Sequence, residues 1–392
     1  MGSDVVLRQA HVIDPSQGIN RIMDIALQNG VITELGQCLT RRNAASNIDL
    51  TGSFLCPGLV DLHGHWYEGS TFGIDPDLCL CRGTTTVVDA GTTGFVNFPE
   101  FRRNCISTSR IRVLAFVNIA SCGIPVPFAG ELEDLRYSRP GETAEILEEN
   151  ADVTVGVKIR VRQGHSPMAL DHALKVSRQS RLPLMVHIGP GANTPTILRR
   201  LRAGDIVTHC FEGRGDGIVM GGQLIPEAIQ ARKEGVVFDV GHGCGSFRWE
   251  TARKAFEYQF YPDTISTDLH RYSIDRWAFD MPTTMTKFLH LGMPLEHVIL
   301  KSTWIPARVL GRERQIGTLG VGANADLFAF ALEDGEFPLE DTHLKIETAK
   351  RRIKPLFAIK GGEFVKFCPH FDKVRKLREC DLALLRSVEQ SA

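Results

Sequence analysis

The sequence predicts an α/β protein: a (β/α)8 TIM-type barrel inserted into a small β-sandwich built from both chain ends. Three observations lead there. Apolar, β-branched runs recur eight times along the middle of the chain. Helical stretches separate many of them. Side chains able to bind metal or move protons stand at the carboxyl ends of several runs.

The runs are 55–62, 84–90, 111–119, 153–161, 182–188, 205–210, 235–240 and 264–268, with helix candidates at 168–180, 193–203 and 223–234. Near-continuous apolar strands alternating with helices suit a parallel sheet covered on both faces. Eight such units suggest closure into a barrel. An open doubly wound sheet remains the alternative, because periodicity does not show closure. The flanks read differently. Residues 4–7, 24–27 and 31–35 are β-rich, and Asn29-Gly30 is a hairpin turn signal. Residues 326–331, 355–359 and 363–367 are strand-like again, with Lys360-Gly361-Gly362 as a turn. The expected division is therefore a sandwich from 1–55 and 315–392, ending in a helix at 371–390, around a barrel at 56–314.

The totals are those of a soluble enzyme. The 392 residues, 43% hydrophobic and 23% charged, accommodate a barrel of about 250 residues plus a second module. A formal net charge of −1 gives no ground for a nucleic-acid or anionic-membrane partner. No apolar run approaches the roughly 18 residues of a membrane span, and no secretory signal is read. Position 6 is Val6, not the Ser or Thr of a myristoylation motif. The expectation is a cytoplasmic protein acting on a small molecule, with a homo-oligomer left open. Ten cysteines are scattered without a CxxC pair. They read as buried free thiols rather than disulfides, and Cys79 and Cys81 would share one face of an extended segment.

The chemistry begins at PGLVDLHGH, residues 57–65. Side chains alternate along a strand, so His63 and His65 point to one side and can share a metal ion. Chance placement of two histidines is the bland alternative for this motif alone. Other runs end alike: VTVGVKIRV carries Lys158, LPLMVHIG ends with His187, DIVTHCFEG with His209 and TISTDLH with Asp268. A barrel gathers all those ends around one opening, where active sites of the fold sit. An ammonium in an apolar strand tends to neutralise. A neutral Lys158 can add carbon dioxide, giving a carbamate whose two oxygens can bridge two metals. A lysine paired with a carboxylate is the competing reading.

On these residues the sequence resembles the amidohydrolase superfamily, in its binuclear subtype with a carboxylated bridging lysine. STWIPARVLG (302–311) and GTLGVGANADL (317–327) resemble that family's return to its β-sandwich. THCFEG (208–213) and FDVGHGCGSF (238–247) resemble a bacterial branch often labelled dihydroorotase-like or adenine-deaminase-like. That branch includes deacetylases of acetylated α-hydroxy acids and N-acetyl amino acids. The resemblance implies two divalent metal ions, zinc above all, with manganese, iron or cobalt as substitutes. His63, His65 and Asp268 would hold the more buried ion, and His187 and His209 the more exposed one. Lys158, as carbamate, would bridge them. It further implies attack by a metal-bridging hydroxide, with Asp268 carrying its proton to the leaving group.

Substrate signals are thinner. Arg160, two residues after Lys158, could hold a substrate carboxylate or pair with a structural acid. His242, in VGHGCG, could bind substrate or serve a turn, and Gly241, Gly243 and Gly245 would let a ligand approach the backbone. Where dihydroorotases carry an Arg two residues after the second His, this chain has Tyr67. Glu212, three residues after His209, faintly resembles the acid of a purine deaminase. The reading that results is a deacetylase or esterase for a small carboxylate-bearing substrate. A cyclic amidase comes next, then an adenine-type deaminase. A barrel kept only as a scaffold is disfavoured, because every ligand position is filled.

Overall fold

A computed structural model describes residues 5–39, 46–124, 131–215 and 217–367, so the helix expected at 371–390 lies outside the described residues. The central element is a seven-stranded parallel sheet. Its strands, in chain and spatial order, are β1 (Leu59–Gly64), β2 (Thr84–Ala90), β3 (Arg112–Asn118), β4 (Thr154–Val161), β5 (Leu184–Ile188), β6 (Ile206–Thr208) and β7 (Val237–Phe238). Most positions on these strands are buried, because helices such as Pro167–Ser180 cover one face and side chains fill the other. That two-sided burial explains the near-continuous apolar runs.

Two runs deviate from the expectation. The run at 55–62 is divided at Gly58: Phe54–Pro57 pairs with Val5–Asp14 and Leu327–Glu340 in the other sheet, and only β1 joins the parallel one. A Cβ on Gly58 would stand 2.2 Å from Thr85 Oγ1. The run at 264–268 forms no regular strand. It makes isolated parallel bridges, Asp239 with Thr264 on the β7 side and Gly64 with Leu269 on the β1 side. Backbone hydrogen bonds from Val240 N to Thr264 O and from Asp268 N to His63 O run along the same two edges. Asp61 reinforces the β1 edge by accepting from Thr267 N and Thr267 Oγ1 at 2.9 and 2.5 Å.

Both flanks meet in one eight-stranded sheet. The second sheet that a sandwich requires is not separate from it among the described residues. Asn29-Gly30 turns as expected, with φ of 51° and 77°, the positive pair that a tight hairpin needs. The strand-like pieces at 326–331 and 355–359 belong to a much longer hairpin, Leu327–Glu340 with Ile346–Lys360. Its tip reaches back to the parallel unit, where Asp341 accepts from Trp249 N and Lys345 O from Trp249 Nε1. Cys79 and Cys81 lie in a 3-10 helix, Pro76–Arg82, rather than an extended segment. All eight cysteines among the described residues are free thiols. No helix among the described residues is long and apolar enough to cross a membrane.

Candidate metal centre

The carboxyl ends of the parallel strands surround a cavity of about 120 Å3, lined by His63, His65, Lys158, His187, His209 and Asp268. Strand alternation places Lys158 and Arg160 on one side of β4, and pairing sets Arg160 beside His187 of β5. The imidazoles of His187 and His209 lie 4.1 Å apart between centroids, and those of His63 and His209 lie 5.0 Å apart. Ligand atoms of His63, His65 and Asp268 all fall within 4.8 Å of one another.

Hydrogen bonds decide which ring nitrogen faces inward. His63 Nδ1 lies 2.7 Å from Thr208 Oγ1, whose own hydrogen goes to Asp239 Oδ2. Thr208 must therefore accept, and His63 keeps its proton on Nδ1. The same relay recurs at His65, where Thr92 Oγ1 accepts from Nδ1 and donates to Asp89 Oδ2. His209 Nδ1 donates to Gly241 O at 2.7 Å. Three Nε2 lone pairs are thus free of protons. Burial pushes His65 and His209 down to about 4, and His63 and His187 well below their ordinary value, so the rings are neutral near pH 7.

Asp268 Oδ1 stands 3.4 Å from His63 Nε2 and 3.2 Å from His65 Nε2. It is buried and has no hydrogen-bond partner among the described residues. Lone pairs converging on one buried point, with no proton between them, repel unless a cation takes that point. The donor set fits a divalent metal. Burial raises the Asp268 carboxyl above the usual range and lowers Lys158 to about 8, so the lysine has an accessible neutral form.

Aiming these groups strains the backbone. His209 and Asp268 have φ of 63° and 47°, a region that costs non-glycine residues about 1–3 kcal/mol and clusters at functional sites. The glycines of VGHGCG make the room. A Cβ on Gly243 would meet Asp268 Oδ2 at 2.3 Å, and one on Gly241 would meet His209 Nδ1 at 2.7 Å. Gly241 and Gly243 thus admit these two side chains, where the sequence suggested approach by a ligand, whereas Gly245 does line the cavity.

The two substrate candidates part ways. Arg160 reaches the cavity, and its Nε donates to the buried Glu131 at 2.7 Å, so the pairing with an acid weighed from the sequence is present. His242 does not reach the cavity. Its Nδ1 donates to Gly243 O, its Nε2 accepts from Lys287 Nζ at 2.7 Å, and its ring stacks on Phe247. His242 is consequently a structural histidine, because neither nitrogen remains for a ligand. Sequence reasoning missed Arg214, Cys244 and His270, which line the cavity, and the relay residues Thr92, Asp89, Thr208 and Asp239. Thr208 adjoins His209, and His270 follows Asp268 by two, but nothing local marks either as functional.

A test follows from the relay. Thr208→Val leaves His63 Nδ1 without an acceptor and should weaken metal retention about 10–100-fold, whereas Thr208→Ser should keep it. Competition with a chelator measures both. Equal retention in the two variants would dismiss the relay.

The chain is similar to known proteins. The amidohydrolase family model matches residues 54–365. A deacetylase of Agrobacterium fabrum is 35% identical over 363 residues, covering 89% of this chain and 88% of that protein. A crystal structure described as an adenine deaminase has a TM-score of 0.87 at 30% identity, covering 93% of this chain and 100% of that one. Another, described as a dihydroorotase, has 0.85 at 32%, covering 93% and 99%. The family match spans the parallel unit and most of the terminal sheet, with all six cavity groups inside it. The chain belongs to the amidohydrolase family.

Proposed function

We propose that this amidohydrolase removes an acyl group, acetyl above all, from a small carboxylate-bearing amide or ester. The observation that carries this reading is the buried, partnerless Asp268 Oδ1 facing the Nε2 atoms of His63 and His65. We assign one ion to His63, His65 and Asp268, a second to His187 and His209, and a bridging carbamate to Lys158. Zinc suits these imidazole and carboxylate donors. When bound, such ions supply water of lowered pKa and polarise a carbonyl.

The chain's own groups do the rest. The Asp268 carboxylate would accept the proton of the attacking water and deliver it to the departing nitrogen or oxygen. Arg160 and Arg214 stand in the cavity lining, and a guanidinium there favours a substrate anion. The small volume favours a short acyl group. N-acetyl amino acids and acetylated α-hydroxy acids combine both features, and the likeness to a deacetylase supports the choice. We further infer that the bridged segment 264–269 closes a (β/α)8 barrel at 56–314, with 1–55 and 315–392 forming the second module.

Cyclic amide hydrolysis is the second reading, favoured by the likeness to a structure described as a dihydroorotase. Against it, Tyr67 packs on Phe101 and supplies no cation. Adenine-type deamination has less support, because Glu212 is not among the cavity-lining residues and accepts from Arg214 N. A hydrolysis screen of acetylated D- and L-acids beside dihydroorotate and adenine decides among them. Turnover of dihydroorotate or adenine alone would remove the deacylase reading.

Arg160 calls for a paired test, since removing it alone strands the Glu131 carboxylate. In an E131Q background, Arg160→Met should raise KM for carboxylate substrates about 10–100-fold and change neutral esters little. Equal effects on both would take Arg160 out of substrate binding.

A further inference from the structure

His270 lines the same cavity but holds no place in the ligand set. Its proton can be located without reference to its pKa. The backbone N–H of Tyr272 donates to His270 Nδ1 at 3.1 Å. A backbone N–H is always a donor, so Nδ1 must offer a lone pair and the ring's proton sits on Nε2. This is the opposite tautomer to His63, His65 and His209. Those rings turn lone pairs inward to receive a cation, whereas His270 is left with an N–H donor.

Its surroundings fix where that donor can act. The ring packs edge-on to Phe72 at 5.2 Å and stands 6.0 Å from His65. Nδ1 is held by the chain that follows, and among the described residues Nε2 donates to no protein acceptor. Nδ1 is occupied by the chain and His270 lines the cavity, so we infer that Nε2 is the nitrogen offered to it. The segment bearing Asp268 and His270 bridges β7 and β1, and three strands separate it from β4 in either direction. His270 and Arg160 therefore belong to opposite walls of one small cavity.

We propose that His270 is a substrate-binding residue whose Nε2–H donates to an oxygen of the acyl half of the substrate, opposite the carboxylate end held by Arg160. This assignment rests on the acyl-hydrolase reading above. The two walls would then measure the distance between carboxylate and acyl oxygen, selecting substrates in which a short linker joins them. Arg160 supplies a charged contact and His270 a neutral one.

The test compares wild type, His270→Phe and His270→Asn, each with metal content measured. Phe keeps a planar ring without a donor, and Asn restores an N–H. His270→Phe should lower kcat/KM for the acetylated acids about 10–100-fold at unchanged metal content, with His270→Asn recovering most of it. Acetate inhibition should weaken by a similar factor in His270→Phe, while inhibition by the deacetylated acid stays as in wild type. Unchanged kcat/KM in His270→Phe, metal loss in both variants, or weakened inhibition only by the deacetylated acid would each overturn the proposal. Wild-type turnover is scored first. If only dihydroorotate is cleaved, the acyl-hydrolase reading fails by itself, and the same variants on that substrate still decide whether His270 donates.

Discussion

Replacing Asp268 by Asn is expected to lower kcat by about 10²–10⁴-fold, the usual contribution of general acid–base catalysis, with the metals still bound. The substitution is chosen for its conservatism. Asn has the same shape, tolerates the left-handed backbone that Asp268 adopts at φ 47°, and keeps an oxygen toward His63 and His65. It loses the negative charge and the capacity to take a proton. The measurement is steady-state turnover beside elemental analysis. Unchanged turnover would refute the proton-carrier role, and loss of both metal and turnover would show that Asp268 acts chiefly as a ligand.

Lys158→Ala is expected to remove most bound metal and, with it, activity. In the proposed assignment a carbamate on Lys158 would be a donor to both ions, so its loss would leave each one short of a donor. A short carboxylic acid added to the variant should restore part of the occupancy. Full metal content in Lys158→Ala would show that this residue is no bridge. The same assignment has a pH consequence for the metal-free protein. Burial lowers the Lys158 amine to about 8, and only the neutral amine adds carbon dioxide. Its neutral fraction grows about tenfold per pH unit below that value. At a constant concentration of dissolved CO2, reconstitution with metal should therefore accelerate as pH rises toward about 8 and level off above it. A rate that falls as pH rises at constant CO2, or ignores CO2, would contradict carbamate formation.

Much of the centre could be read before any coordinates. The positions of His63, His187 and His209 at or beside strand ends follow from a local rule, in which apolar residues mark the strand and the polar residue at its end marks the opening. Lys158 lies within β4, and Asp268 lies on a segment that only bridges β7 and β1. The long hairpin of Leu327–Glu340 and Ile346–Lys360 was only half legible, because its outer parts alternate charged residues such as Arg351 and Arg352. These cross-strand ion pairs, Arg351 with Asp334 and Arg352 with Glu333, leave little apolar signature. The sequence left His242 open between substrate binding and a turn for a related reason. Its decisive partner, Lys287, comes from a helix 45 residues later, and no pattern around VGHGCG announces it.

The sequence by itself determined which donors stand at which strand ends, since alternation and burial along one strand are local properties. Only the tertiary structure decided what each donor can do. The protons of His63 and His65 are set by Thr208 and Thr92 with Asp239 and Asp89 behind them, that of His270 by Tyr272 N, and Arg160 is shared with Glu131. Several of these partners belong to distant strands and loops. A ring nitrogen becomes lone pair or donor according to the atom facing its twin, and folding alone brings that atom into place.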